Sequence, residues 1–249
     1  MNSAATWLPY CGVAPAPDGL MARWNGDPIL IVALILAAGC YRLLPSNAAE
    51  RRFFVAALAL AALLFVSPLC ALTSALFSAR TVHHTLLTAV LAPLLAFALS
   101  PVARAPRGGI AIWTVVHIFA FWLWHAPPAY AAALSSDMLY WTMQASLLVT
   151  AWGMWAHIRT AALPFGIAAL LALMVQMGLL GALLVFNADA LYAPHYLSTQ
   201  AWGFSPLEDQ QLAGLIMWAP AAGFYLAGAL WMLARWLGVE ERGEAVTAR

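Results

Sequence analysis

Polar residues along this chain come in short clusters, and between the clusters run seven mostly apolar stretches: Pro28–Leu44, Phe53–Leu76, Val82–Ser100, Ile110–Ala126, Leu139–His157, Pro164–Phe186 and Leu207–Leu237. None alternates at period two as barrel strands do, and each approaches or exceeds the roughly 20 helical residues that cross a bilayer core about 30 Å thick. The pattern predicts an all-α integral membrane protein folded as a seven-transmembrane-helix bundle. Residues 1–27 precede the bundle, residues 28–237 form it, and residues 238–249 follow as a tail. No internal repeat marks the two halves of a secondary transporter.

Punctuation residues sharpen several boundaries. Pro127 and Pro128 bias the residues before them away from helix and end the fourth stretch near Ala126. Ser205-Pro206-Leu207-Glu208 reads as a capping box, with Pro at the first helical position and Glu three residues after the Ser. The helix from Leu207 to Leu237 is about 31 residues, roughly 46 Å, which exceeds the hydrocarbon thickness. Its first turns therefore stand at or above one interface, and Pro220 is expected to kink it below them. Gly178, Gly181 and Gly214 predict close helix contact.

Composition narrows the function classes. The chain of 249 residues is 64% hydrophobic and 8% charged, against roughly 25% charged in an ordinary soluble domain. A soluble enzyme or nucleic-acid binder is excluded, and the net charge of +1 gives no footprint for a polyanion. All eleven basic residues are Arg, so no Lys can hold retinal as a Schiff base despite the helix count. Cys11, Cys40 and Cys70 are too few and too scattered to predict a disulfide framework or a Cys-x-x-Cys metal site. The first basic residue is Arg23, with no apolar run ahead of it, so the first apolar segment is expected to stay as an anchor. Arg42, Arg51, Arg52, Arg104, Arg107, Arg159, Arg235, Arg242 and Arg249 fall on one side of the predicted bundle, and only Arg23 and Arg80 on the other. Nine against two predicts a cytoplasmic C-terminus and a periplasmic N-terminus.

That orientation sorts the histidines by depth. His83 and His84 open the third span at its outer end, His125 closes the fourth at its outer end, and His195 lies in the outer connection between Asn187 and Pro206. His117 is eight residues, about 12 Å, deeper than His125, and His157 is at the cytoplasmic face. Glu208 and Asp209 bring carboxylates to the outer end of the last span, with Cys70 and Met138 at similar depth. Imidazole suits copper, zinc and iron, while thiolate and thioether favour copper(I), so the mixed set is most consistent with copper. The candidate ligands are His84, His125, Asp209, His117, His83 and His195. Adjacent helical residues are about 100° apart, so His83 and His84 cannot both face the bundle interior. Bland readings stand beside these: His83 and His195 as interfacial residues, His117 bonded to a neighbouring helix, Glu208 as a cap, and Met174 and Met177 as packing.

These residues resemble a known family. Ser205 to Pro220, reading SPLEDQQLAGLIMWAP, is similar to the Asp-Gln-Gln-Leu-x-Gly-Leu-Ile-Met-Trp signature of the polytopic CtaG-type cytochrome c oxidase assembly factors. His84 to Pro93 resembles that family's His-Leu-Leu helix. Phe121-Trp-Leu-Trp-His125 with Tyr130, and Leu179 to Phe186 with Leu191-Tyr192, extend the likeness over about Arg80 to Leu237. The resemblance implies a seven-span, non-enzymatic protein of the bacterial inner membrane that helps build the terminal oxidase by handling copper on its outer face. Oxidase subunits or a periplasmic copper chaperone are the implied partners, and His84, His125 and Asp209 the implied residues. Arg80 stands where many members carry a second His, and Met143-Gln144 where they carry a polar pair. The residues also admit a metal-free scaffold, a copper transporter using His117, and a haem protein ligated between His84 and His125.

Overall fold

The structure, a computed structural model, describes residues 8–100 and 106–247, with side chains described as far as Gly238. Among the described residues every regular element is helical: α1 (Pro28–Arg42), α2 (Ala48–Phe65), α3 (Pro68–Ala75), α4 (Phe77–Leu86), α5 (Ala92–Ala98), α6 (Gly109–His125), α7 (Pro127–Ala133), α8 (Asp137–Ile158), α9 (Leu163–Phe186), α10 (Pro206–Ile216) and α11 (Ala222–Thr247). Helix α11 continues through most of the residues expected to form a tail. Arg104 and Arg249 lie outside the described residues, as does the side chain of Arg242.

Three rods are long and apolar enough to cross a membrane: Phe77–Ala98, Leu163–Phe186 and Pro206–Gly238. Two bent pairs, α2 with α3 at 47° and α6 with α7 at 79°, raise the number to five if each is one span. The other two stretches expected to span are α1, apolar but only 15 residues long, and the 22-residue α8. Helix α8 falls short in hydropathy because it carries Gln144, Ser146 and Thr150, polar groups turned to the interior rather than to lipid. The bends have local causes. Ser67 caps α3 ahead of Pro68, and Ala126 adopts an extended conformation before Pro127.

The most buried rod, Phe77–Ala98, packs against α2, α8 and α10. The two long rods with a proline in their interior absorb it in a π turn, at Leu87–Leu91 before Pro93 and at Met217–Ala221 around Pro220. The expected kink at Pro220 is thus a π turn in a helix that runs on. In the i→i+5 register the Thr88 carbonyl looks to residue 93 for its donor, and Pro93 has none. The Trp155 indole donates to it instead at 3.0 Å. Helices α9 and α10 touch at backbone distance: a Cβ on Gly181 would lie 2.7 Å from the Gly214 carbonyl, and the reverse distance is the same. Gly178 faces open space and takes no part in that contact.

Two expectations are corrected here. Cys11 and Cys70 form a disulfide that closes a separation of 59 residues, so Cys70 is no thiolate donor. Spacing alone could not reveal the pair, because the bend between α2 and α3 is what carries Cys70 back to the N-terminal segment. Arg80, counted as an outer-loop charge, lies inside α4 with 0% exposure. A cross-link over this separation constrains the unfolded chain by an amount on the order of 4 kcal/mol. Cys11→Ser with Cys70→Ser is expected to lower the unfolding temperature in micelles, and the parent should show the same drop under reductant. Equal melting of parent and double variant would contradict this.

Candidate functional site

Asp209, in the first turn of α10, is fully buried and serves the start of another helix. Its carboxylate accepts from the backbone N–H of Phe77 at 2.6 Å, from that of Ser78 at 3.2 Å, and from the Ser78 hydroxyl at 2.5 Å. Leu76 sits at the cap of α4 without any capping side chain of its own, so a residue far along the chain supplies what the local sequence lacks. The expected Ser205–Glu208 capping box is present and holds Asp209 at that position. Gln210 next to it accepts from Leu191 N–H at 2.7 Å and donates to the carbonyls of Leu184 and Asp189, which pins the outer loop. Gln211 donates to the Val185 carbonyl at the end of α9. The Asp-Gln-Gln run is a clamp joining α10, α4, α9 and the loop above them.

Below the clamp lies a small cavity of about 10 Å³, room for roughly one water-sized body. His84, His125, Met177 and Met217 line it, and Thr81, Thr85, Thr88, Phe121 and Leu147 complete its wall. The imidazoles of His84 and His125 lie nearly perpendicular, with ring centroids 5.8 Å apart. His125 donates Nδ1–H to the Phe121 carbonyl at 2.7 Å, which leaves Nε2 as its lone-pair atom; metal-binding histidines are commonly oriented in this way. His84 is buried with neither ring nitrogen bonded to anything. Buried polar atoms without partners are costly and rare in folded proteins, and among the residues lining this cavity His84 is the one with both ring nitrogens open to a ligand.

The other candidates divide cleanly. His83 points away from the cavity, with Nε2 3.2 Å from the Leu64 carbonyl and its ring against Phe65. His117 bonds Thr150 at 2.9 Å, and since the Thr150 hydroxyl donates to the Ser146 carbonyl, His117 is the donor. His195 pairs with the Tyr130 hydroxyl at 2.7 Å. His157 donates to the Gly153 carbonyl, and Met138 is exposed. Among the described residues, no three of His, Cys, Asp and Glu gather into a group that could hold a metal ion. The structure brings together His84 and His125 only, and adds two thioethers. Sequence reasoning left Met177 as packing and did not single out Met217; the signal for the latter was Pro220, whose π turn begins at Met217.

Arg80 lies one turn before His84. Its guanidinium donates to the Thr73 carbonyl at 3.2 Å and sits 5.3 Å from the Tyr140 ring centre, while Nε and Nη1 have no partner. Gln144 likewise has both amide atoms unpaired. No carboxylate lines the cavity, so the site is a set of neutral, mostly soft donors beside a fixed positive charge.

Two outcomes follow. Asp209→Ala uncovers the start of α4 and is expected to destabilise the fold by about 1–3 kcal/mol, read as a lower unfolding temperature even without metal. For His195, burial and the nearby Arg80 hold the imidazole at about 3, below its ordinary 6.5. The unfolded chain therefore binds the extra proton first, and stability falls as the pH drops from 6.5 towards 3. His195→Gln should flatten that part of a melting-temperature profile; an unchanged slope would contradict it.

Residues 109–238, just over half of the chain, match the cytochrome c oxidase caa3 assembly factor family (Caa3_CtaG). The matched part contains His125, Met177, Asp209 and Met217, while Arg80, His83 and His84 precede it. No curated protein and no solved structure matches the chain. With the match spanning α6 to α11, the chain belongs to the cytochrome c oxidase caa3 assembly factor family.

Proposed function

We propose that this protein assists cytochrome c oxidase assembly by binding copper(I) as cargo between His84 and His125 and exchanging it on the periplasmic side. The unpartnered His84 imidazole, beside a His125 already oriented by the Phe121 carbonyl, carries the proposal. Thioethers and neutral imidazoles suit copper(I), and Met177 and Met217 supply the former. Charge points the same way. With Arg80 nearby and Asp209 committed to the helix start, a divalent ion would find no anionic ligand to offset it.

In this reading the protein is a binding protein rather than an enzyme, held in the bacterial inner membrane by seven spans with its N-terminus outside. The Arg asymmetry supports that orientation. So does the Cys11–Cys70 disulfide, which suits an oxidising compartment. Partners would be an oxidase subunit or a periplasmic copper chaperone that meets the outer loop.

Purified under reducing, oxygen-free conditions, the protein is expected to bind one equivalent of copper(I) in competition with a chromogenic chelator. His84→Ala and His125→Ala should each weaken binding at least tenfold, Met177→Leu and Met217→Leu by less, with unfolding temperatures unchanged in the absence of metal. Oxidase from cells carrying either His variant should contain less copper. A parent protein that binds none would leave a metal-free scaffold, and a visible haem spectrum would point to the bis-His alternative.

A further inference from the structure

At the end of the bundle opposite the clamp, a cleft opens between α1 and α2, and a second, more open hollow lies on the adjoining face of α2, the two sharing Arg51 and Val55. The first, about 430 Å³, is lined by Ala38, Tyr41, Arg42, Arg51, Phe54 and Leu58 among others. The second, about 640 Å³, is lined by Arg51, Arg52, Val55, Ala56 and Ala59, with Ala48 at its mouth. Tyr41 fixes the geometry: its ring stacks on Phe54 at 3.7 Å, and its hydroxyl donates to the Ala98 carbonyl at 3.1 Å. Apart from Tyr41, Leu30 is the only buried residue of α1, so the gap is lined by a helix that hardly packs on the bundle.

The three guanidiniums are without partners. Arg42, Arg51 and Arg52 are exposed, and their side chains make no ion pair, hydrogen bond or ring contact with any described residue. The nearest carboxylate in sequence, Glu50, is committed to the capping box with Asn47 and to the Ser100 hydroxyl. Past Arg52 the helix wall from Phe53 to Ala59 carries no charge. Positive groups at the rim over apolar walls describe an amphiphile with an anionic head.

We propose that these clefts form a binding site for an anionic glycerophospholipid, its phosphate between Arg42 and Arg51 and its acyl chains along Tyr41, Phe54, Val55 and Ala59. Arg51 belongs to both and Arg52 to the second, so a lipid with two phosphates, cardiolipin, fits best: one phosphate in the cleft and one in the hollow, on adjoining faces of α2. Basic recesses between spanning helices are a recurrent way of holding such headgroups. The site is independent of the metal cavity and of the function assigned to it.

The test titrates the full-length protein in an uncharged detergent with cardiolipin, phosphatidylglycerol, phosphatidylethanolamine or inorganic phosphate, reading the unfolding temperature and bound lipid by native mass spectrometry. The expected result is retention and stabilisation by cardiolipin, less by phosphatidylglycerol, and none by the zwitterionic lipid or free phosphate. Substitution of all three residues, R42Q with R51Q and R52Q, should weaken cardiolipin binding roughly 100-fold. The residues are exposed, so the lipid-free unfolding temperature should stay put, and the single variant R51Q should show the largest share of the loss. Equal stabilisation by the zwitterionic lipid would overturn the proposal, as would a full effect of inorganic phosphate alone or a triple variant that binds cardiolipin like the parent.

Discussion

One carboxylate sets the register of this bundle. Helix α4 begins inside the protein, after an extended Leu76, and its first backbone N–H groups have neither water nor a local side chain to meet them. Asp209 meets two of them and the Ser78 hydroxyl besides. Its grip also ties α10 to α4 at a fixed level. From that level the two helices descend together. His84 is seven residues below Phe77 and Met217 eight below Asp209, each about 10–12 Å down, and both reach the same cavity. A carboxylate that the sequence offers as a candidate ligand is engaged with the start of α4, and so fixes where two cavity-lining residues stand.

The prolines do related work. Pro93 and Pro220 each force a π turn into a long helix, and each turn presents a cavity-lining residue, Thr88 and Met217. A π turn shifts every side chain after it relative to a regular helix and frees a carbonyl that must be satisfied elsewhere. Trp155 answers that need at Thr88, and Tyr225 reaches the Thr88 hydroxyl at 3.5 Å. Trp155 of α8 thus satisfies the backbone carbonyl that the π turn frees, and Tyr225 of α11 meets the side chain of the same residue.

Charge in this interior is sparse and separated. Arg80 and Asp209 are both fully buried and do not pair with each other; one leans on a carbonyl and an aromatic face, the other on a helix start. Between these levels the imidazoles are each accounted for by a neighbour, save His84. The cavity itself is lined by two thioethers and two imidazoles, with no carboxylate among its walls. At the other end of the bundle the imbalance is reversed in exposure: three guanidiniums stand at the rim with no counter-charge among the described residues.

The sequence by itself determined the helical, membrane-suited character of the chain, the break before Pro127 and the Ser205–Glu208 cap. These are local properties: hydropathy over a window, the φ restriction of proline, and a cap three residues long. It also named His84 and His125, because both are titratable groups near helix ends in an apolar setting. Only the tertiary structure decided that Cys11 meets Cys70, that Arg80 is inside, that Asp209 caps a helix more than a hundred residues away, and that Met177 and Met217 join the imidazoles. Each of those depends on how separate helices are rotated and levelled against one another, and in a chain so uniformly apolar the periodicity that would reveal rotation is nearly absent, since lipid-facing and core-facing residues are equally hydrophobic.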